Sequence, residues 1–294
     1  MLTLFAHTGR PPAPHDAWGA WGGDPLVLLA VLAAAALYAR GRARARRPPA
    51  RGQAARFGGG LLAVAAASQS PLEAAAHALA SAHMVQHVLL VLVAAPLLAW
   101  SAPLPELVRG TPPALRRAVA RARRVGGVAR VLRRAVARAR RVGGVAPAGR
   151  WMAGPGPAWL AHVAVLWLWH SAALYDAALR VPALHALEHA MFLGTALLFW
   201  HVVAGPRTAA SHGARVLLVF TMGMQSVFLA LLLTFARAPW YASYRDTTAA
   251  WGLTPLADQQ LAGAIMWVPA GFVYAGLGIA LVAGWLREVE AAPG

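Results

Sequence analysis

HMVQHVLLVLVAAPLLAWSAP, residues 83–103, decides the fold. From Val88 to Trp100 no residue is polar, so the stretch reads as a membrane helix entered through a pair of histidines. An α-helix turns every 3.6 residues, so His83 and His87, four apart, project from one face. HALEHAMFLGTALLFW, residues 185–200, repeats the arrangement with His185 and His189. Imidazole at a bilayer edge is costly without a partner. Two such pairs therefore point to a metal or cofactor site.

The whole chain agrees with a membrane reading. Its 294 residues are 59% hydrophobic and 13% charged, with a mean hydropathy of +0.53, too apolar for a soluble domain of this length. The expected fold is an all-α polytopic membrane helix bundle with about seven transmembrane helices. The spans are predicted at 24–40, 57–71, 81–101, 157–173, 183–204, 212–236 and 258–286. The first two are short against the roughly 20 residues a bilayer requires, and Pro71 ends or kinks the second. Residues 1–23 form an extracytoplasmic segment with Trp18 and Trp21 as interfacial anchors and no apolar signal region. Residues 24–286 are the transmembrane domain, 104–156 an Arg-rich cytoplasmic loop, and 287–294 a cytoplasmic tail.

Charge orients the bundle. All 27 basic residues are arginine. Runs at 40–56 and 109–150, with Arg207, Arg215 and Arg287, fall on one side of the predicted spans; only Arg10, Arg180, Arg237 and Arg245 fall on the other. This asymmetry puts the N-terminus outside and the C-terminus in the cytoplasm of a bacterial cell membrane. Anionic headgroups account for the net charge of +17, so a nucleic-acid partner is not expected. LRRAVARARRVGGVA occurs at 115–129 and again at 132–146. Each copy suits a short amphipathic helix on lipid and carries no chemistry of its own.

The predicted topology sorts the side chains that can carry chemistry. His83, His87, His170, His185, His189 and Asp258 come from four different spans to the outer face. His7, His15, His77 and His212 read as helix-end or headgroup residues. His201 lies about 18 Å along its helix from His189, and His162 about 12 Å deeper than His170, as a hydrogen-bonded packing residue. No cysteine is present, so a metal must use His, Met or carboxylate. Imidazole suits zinc, copper, iron and haem, while Met84 and Met266 are optional soft ligands that favour Cu(I). Glu188, beside His189, is read either as an acceptor that orients an imidazole or as a water-facing group.

Four blocks resemble the caa3-type cytochrome c oxidase assembly factors of the CtaG family: 83–103, LWLWHSAALYDAAL at 166–179, 185–200, and LTPLADQQLAGAIMWVPAGFVY at 253–274. The resemblance covers about residues 24–286. It implies copper handling, as Cu(I), at the outer face through His83, His87, His170, His185, His189 and Asp258. The implied partners are cytochrome c oxidase subunits and an extracytoplasmic copper donor. The family usually has proline two residues after the span-four histidine, where this chain has Ala172. The expected role is not enzymatic. The competing readings are a zinc-dependent membrane hydrolase using Ser81 and Asp258, and a bis-His haem protein.

Overall fold

A computed structural model of the chain describes residues 12–45, 52–117, 154–205, 208 and 210–291. Among the described residues the regular elements are all helical: α1 Pro25–Ala43, α2 Gln53–Gln69, α3 Pro71–Ala76, α4 Ala80–Ser101, α5 Leu104–Gly110, α6 Pro155–Trp169, α7 Ala172–Arg180, α8 Pro182–Ala204, α9 His212–Thr234 and α10 Pro255–Ala291. Apart from 115–117, the duplicated arginine segment lies outside the described residues.

A helix stands at each of the seven predicted spans, and five of them (α1, α4, α8, α9 and α10) are long and apolar enough to cross a membrane. The other two are short: α2 has 17 residues and α6 has 15. Their ends explain this. Ser70 leaves the helical conformation and accepts a hydrogen bond from the Leu72 amide, so Pro71 begins a new helix, α3. His170 ends α6, and the chain restarts at Ala172 as α7. Asp24 caps α1 in the same way, with Pro25 behind it.

The surface is inverted relative to a soluble protein. Leu26, Phe220, Phe272 and Ile279 are more than half exposed, while His83, Gln86, Glu188 and Asp258 have no exposure. Apolar side chains outside and polar ones inside suit a hydrocarbon surround.

Hydrogen bonds identify the two ends of the bundle. At one end, Gln53 of α2 donates to the Ser101 carbonyl of α4 at 2.6 Å, and Arg215 of α9 donates to the Val203 carbonyl of α8 at 2.6 Å. Arg40, Arg42, Arg56, Arg109 and Arg287 belong to this end. At the other end, the Ala80 amide donates to Asp258 at 2.6 Å, and the Tyr241 hydroxyl donates to the His170 carbonyl at 3.2 Å. Among the described arginines, Arg180, Arg237 and Arg245 lie at this second end. The starts of α4, α8 and α10 and the finish of α6 therefore meet at one end.

Within α4 the turn Leu89–Ala94 widens to a π-helix. Pro96 is the cause: its ring would clash with the residue 92 carbonyl in α-helical register. In π register the Ala95 amide reaches back to the Leu90 carbonyl, and Pro96 has no amide for the Val91 carbonyl. The Trp200 indole of α8 donates to that carbonyl instead, at 2.8 Å. The wide turn is thus paired with a neighbouring helix.

Candidate metal centre

Each histidine pair gains its place from the start of a helix. α4 begins at Ala80, so His83 and His87 sit in its first two turns; α8 begins at Pro182, so His185 and His189 do likewise. His83 Nε2 and His87 Nε2 are 2.9 Å apart. Five of the six pairs among these four rings have centroid separations from 4.2 to 6.0 Å. The two pairs thus form one cluster.

Two carboxylates join the histidines. Glu188, with no exposure, places its oxygens 3.6 Å from His83 Nε2 and 3.5 Å from His87 Nε2. Glu73 of α3 lies 3.3 Å from His185 Nδ1 and 3.9 Å from His77 Nε2. Gln86, one residue before His87, donates to Glu73 and at 2.6 Å to the Ala67 carbonyl, which anchors α3 to α4 and α2. Burial pushes the Glu73 carboxyl up, but the hydrogen bond and charge of His185, helped by His189 and His77, carry it below the usual carboxylate range.

Three groups have ligand atoms mutually within 4.8 Å: His83, His87 and His189; Glu73, His185 and His189; and His83, His185 and Glu188. They share members, so they describe one centre with several ways to hold an ion. Donors of this kind, imidazole nitrogen with carboxylate oxygen, suit copper and zinc.

Aromatic hydroxyls set the far side of His83. Burial pushes the Tyr244 hydroxyl well above its usual range, so it stays protonated. Its proton goes to the Ala76 carbonyl at 2.9 Å, and its oxygen stands 3.4 Å from His83 Nδ1. An oxygen whose proton is committed can only accept. His83 therefore carries its proton on Nδ1 and turns the Nε2 lone pair toward the cluster. Tyr175 packs its ring on His83 at 4.9 Å and stacks on Tyr241 at 3.8 Å, closing this side to water.

Of the residues singled out from sequence, the structure brings together His83, His87, His185 and His189. Asp258 lies elsewhere. Its carboxylate accepts from the Ala80 and Ser81 amides at 2.6 and 3.1 Å and from the Ser81 hydroxyl. It caps the N-terminus of α4 from a distant helix, so it neither joins a ligand group nor hydrogen-bonds an imidazole.

His170 is near but outside: its ring is 5.9 Å from that of His87, its Nδ1 bonds the Leu166 carbonyl at 2.7 Å, and it belongs to none of the three groups. Met84 and Met266 line a separate cavity. His162 bonds Thr195 across α6 and α8 at 3.0 Å, in keeping with a packing residue. His77, expected among headgroups, sits against the cluster, its ring 5.5 Å from that of His185.

Sequence reading passed over Glu73 and left Glu188 undecided. A signal existed for Glu188: His185, Glu188 and His189 stand at i, i+3 and i+4, one stripe of α8. Glu73 had only its i, i+4 relation to His77.

The model of the Caa3_CtaG family, cytochrome c oxidase caa3 assembly factor, matches residues 36–288. No curated protein and no solved structure matches the chain.

Proposed function

We propose a copper-handling role for this chain, which belongs to the cytochrome c oxidase caa3 assembly factor family. The protein binds copper at the carboxylate–imidazole cluster and assists metallation of a terminal oxidase. The observation that carries this reading is Glu188. It is wholly buried, neither oxygen has a hydrogen-bond partner among the described residues, and imidazole nitrogens stand on two sides. A buried carboxylate left without compensation costs several kcal/mol, roughly, and a cation held jointly with imidazoles offsets that cost.

In this reading His83, His87, His185 and His189 are the ligands, with Glu73 and Glu188 supplying charge. The bundle crosses the membrane seven times, α2 and α6 included, with the cluster on the outer face of a bacterial cell membrane. Residues 1–23 lie outside, the loop 104–156 and the tail 287–294 inside, and the arginine-rich end rests on anionic lipid. An extracytoplasmic donor supplies the copper and an oxidase subunit receives it.

The test is metal analysis and an optical spectrum of the purified protein, repeated with His83→Ala and His189→Ala. Copper at about one equivalent per cluster, lost in the variants, is the expected result. In cells, deletion should leave oxidase apoprotein in the membrane without its copper; fully metallated oxidase in the deletion strain would sink the assembly role.

A second reading draws on the order His185-x-x-Glu188-His189. Two histidines with an intervening glutamate on one helix face is an arrangement that holds zinc beside a general base. Zinc in place of copper, together with hydrolytic activity lost in Glu188→Gln, would favour it.

A further inference from the structure

Beside the carboxylate–imidazole cluster, a cavity of about 40 Å³ lies between α4, α6, α8, α9 and α10. Three thioethers line it, Met84, Met222 and Met266, each from a different helix, together with the imidazoles of His87, His162 and His170. Its lining holds no carboxylate. All six of these side chains are at least nine-tenths buried.

The imidazoles are held in one tautomer. His170 Nδ1 faces the Leu166 carbonyl at 2.7 Å, and a carbonyl can only accept, so the proton is on Nδ1. The Thr195 hydroxyl gives its proton to the Met191 carbonyl at 2.7 Å, so its oxygen accepts from His162 Nδ1 at 3.0 Å. Both histidines are thus left with a bare lone pair on Nε2. Neither Nε2 has a hydrogen-bond partner among the described residues, and the same holds for His87 Nδ1. A backbone or hydroxyl acceptor behind one ring nitrogen is how proteins orient the other toward a metal.

We propose that this cavity is a second metal site, selective for a soft monovalent cation such as Cu(I), held by the Met84, Met222 and Met266 sulfurs and the Nε2 atom of His162. Thioether and neutral imidazole select Cu(I) among biological cations. A divalent ion would bring two charges into a chamber with no anion to offset them. The site rests on the copper reading of the neighbouring cluster, because His87 joins the two: its Nε2 faces His83 and Glu188, while its ring also lines the chamber. His162 and Met266 each lie eight residues along their helices from His170 and Asp258, so the chamber reaches about 12 Å from the cluster end into the bundle.

The test uses the full chain in detergent, titrated anaerobically with Cu(I) and, as a redox-inert probe, with Ag(I). Leucine conserves the volume of methionine, so Met222→Leu and the pair Met222→Leu/Met266→Leu keep the fold. X-ray absorption of the loaded wild-type protein should show sulfur scattering. The double variant should lose it and weaken the second equivalent at least about tenfold, the loss seen even for groups that only support a ligand. It should retain the first equivalent, which His83→Ala removes. Loaded wild-type protein with nitrogen and oxygen ligation only, or Ag(I) binding unchanged in the double variant, would overturn the second site and leave the first standing. A chamber that holds only ordered water gives that same result. Loss of sulfur scattering in the double variant with no effect of His83→Ala would instead overturn the cluster as the copper site.

Discussion

Around Glu188 the donors are imidazole nitrogens and carboxylate oxygens; around Met222 they are imidazole nitrogens and thioether sulfurs, with no carboxylate in the lining. The two regions adjoin at His87, yet they differ in charge and in softness. The first could neutralise a cation and would suit hard or borderline ions. The second offers no charge and suits only an ion that sheds its water readily. Histidine count alone would have merged them. What separates them is the partner behind each ring: a tyrosine oxygen behind His83 and a glutamate beside His185 at the cluster, a carbonyl behind His170 and a threonine behind His162 at the chamber.

The sharpest way to break this contrast is His83→Ala. His83 belongs to two of the three ligand groups. Copper affinity at the cluster should fall by about 100-fold or more, read by competition with a chelator, while sulfur scattering from the chamber persists. Loss of both together would mean one site rather than two.

Glu188→Gln comes next. It keeps the shape and removes the charge, and should lower cluster affinity by roughly 10- to 100-fold without touching the thioether signal. Equal weakening of both would show that the carboxylate serves the whole region. Thr195→Val should act in the opposite sense. With the acceptor behind His162 gone, Cu(I) binding in the chamber should weaken by about tenfold while the cluster holds its affinity.

Asp258→Ala addresses the frame both regions share. Three donors lose their acceptor at the start of α4, which should cost about 1–3 kcal/mol of stability in thermal unfolding. Both sites should weaken together; an effect on one alone would make Asp258 a local ligand after all.

The smallest expected effect is acid sensitivity. The folded-state pKa of Glu73 lies below its ordinary value of 4.5. Its stabilisation is therefore complete above that value and is lost as pH falls through the lower folded value. Glu73→Gln should flatten the acid limb of the unfolding profile while leaving the chamber's Cu(I) affinity at neutral pH unchanged.

Much of this was legible in the chain. The i, i+4 spacing placed His83 with His87 and His185 with His189, and helices stand where the apolar runs predicted them. Arginine distribution separated the two ends. The rest is tertiary. Asp258 opens a helix at the histidine end, as expected, but a free α4 terminus lies within reach and offers two amides. Glu73 is distant in sequence from every histidine it serves except His77, and a Gln86 contact helps bring it in. Met84 follows His83 directly, but about 100° of helical rotation turns it into the other compartment.

The cap that Asp258 places on Ala80 and Ser81 joins residues 177 and 178 positions apart. During synthesis, the first histidine pair is made long before the carboxylate that seats its helix. Until α10 arrives, the Ala80 and Ser81 amides that open this helix lack the carboxylate that caps them. On the proposed metal reading, loading would wait until α10 is in place, and chains that stop short of Asp258 would compete poorly for the ion.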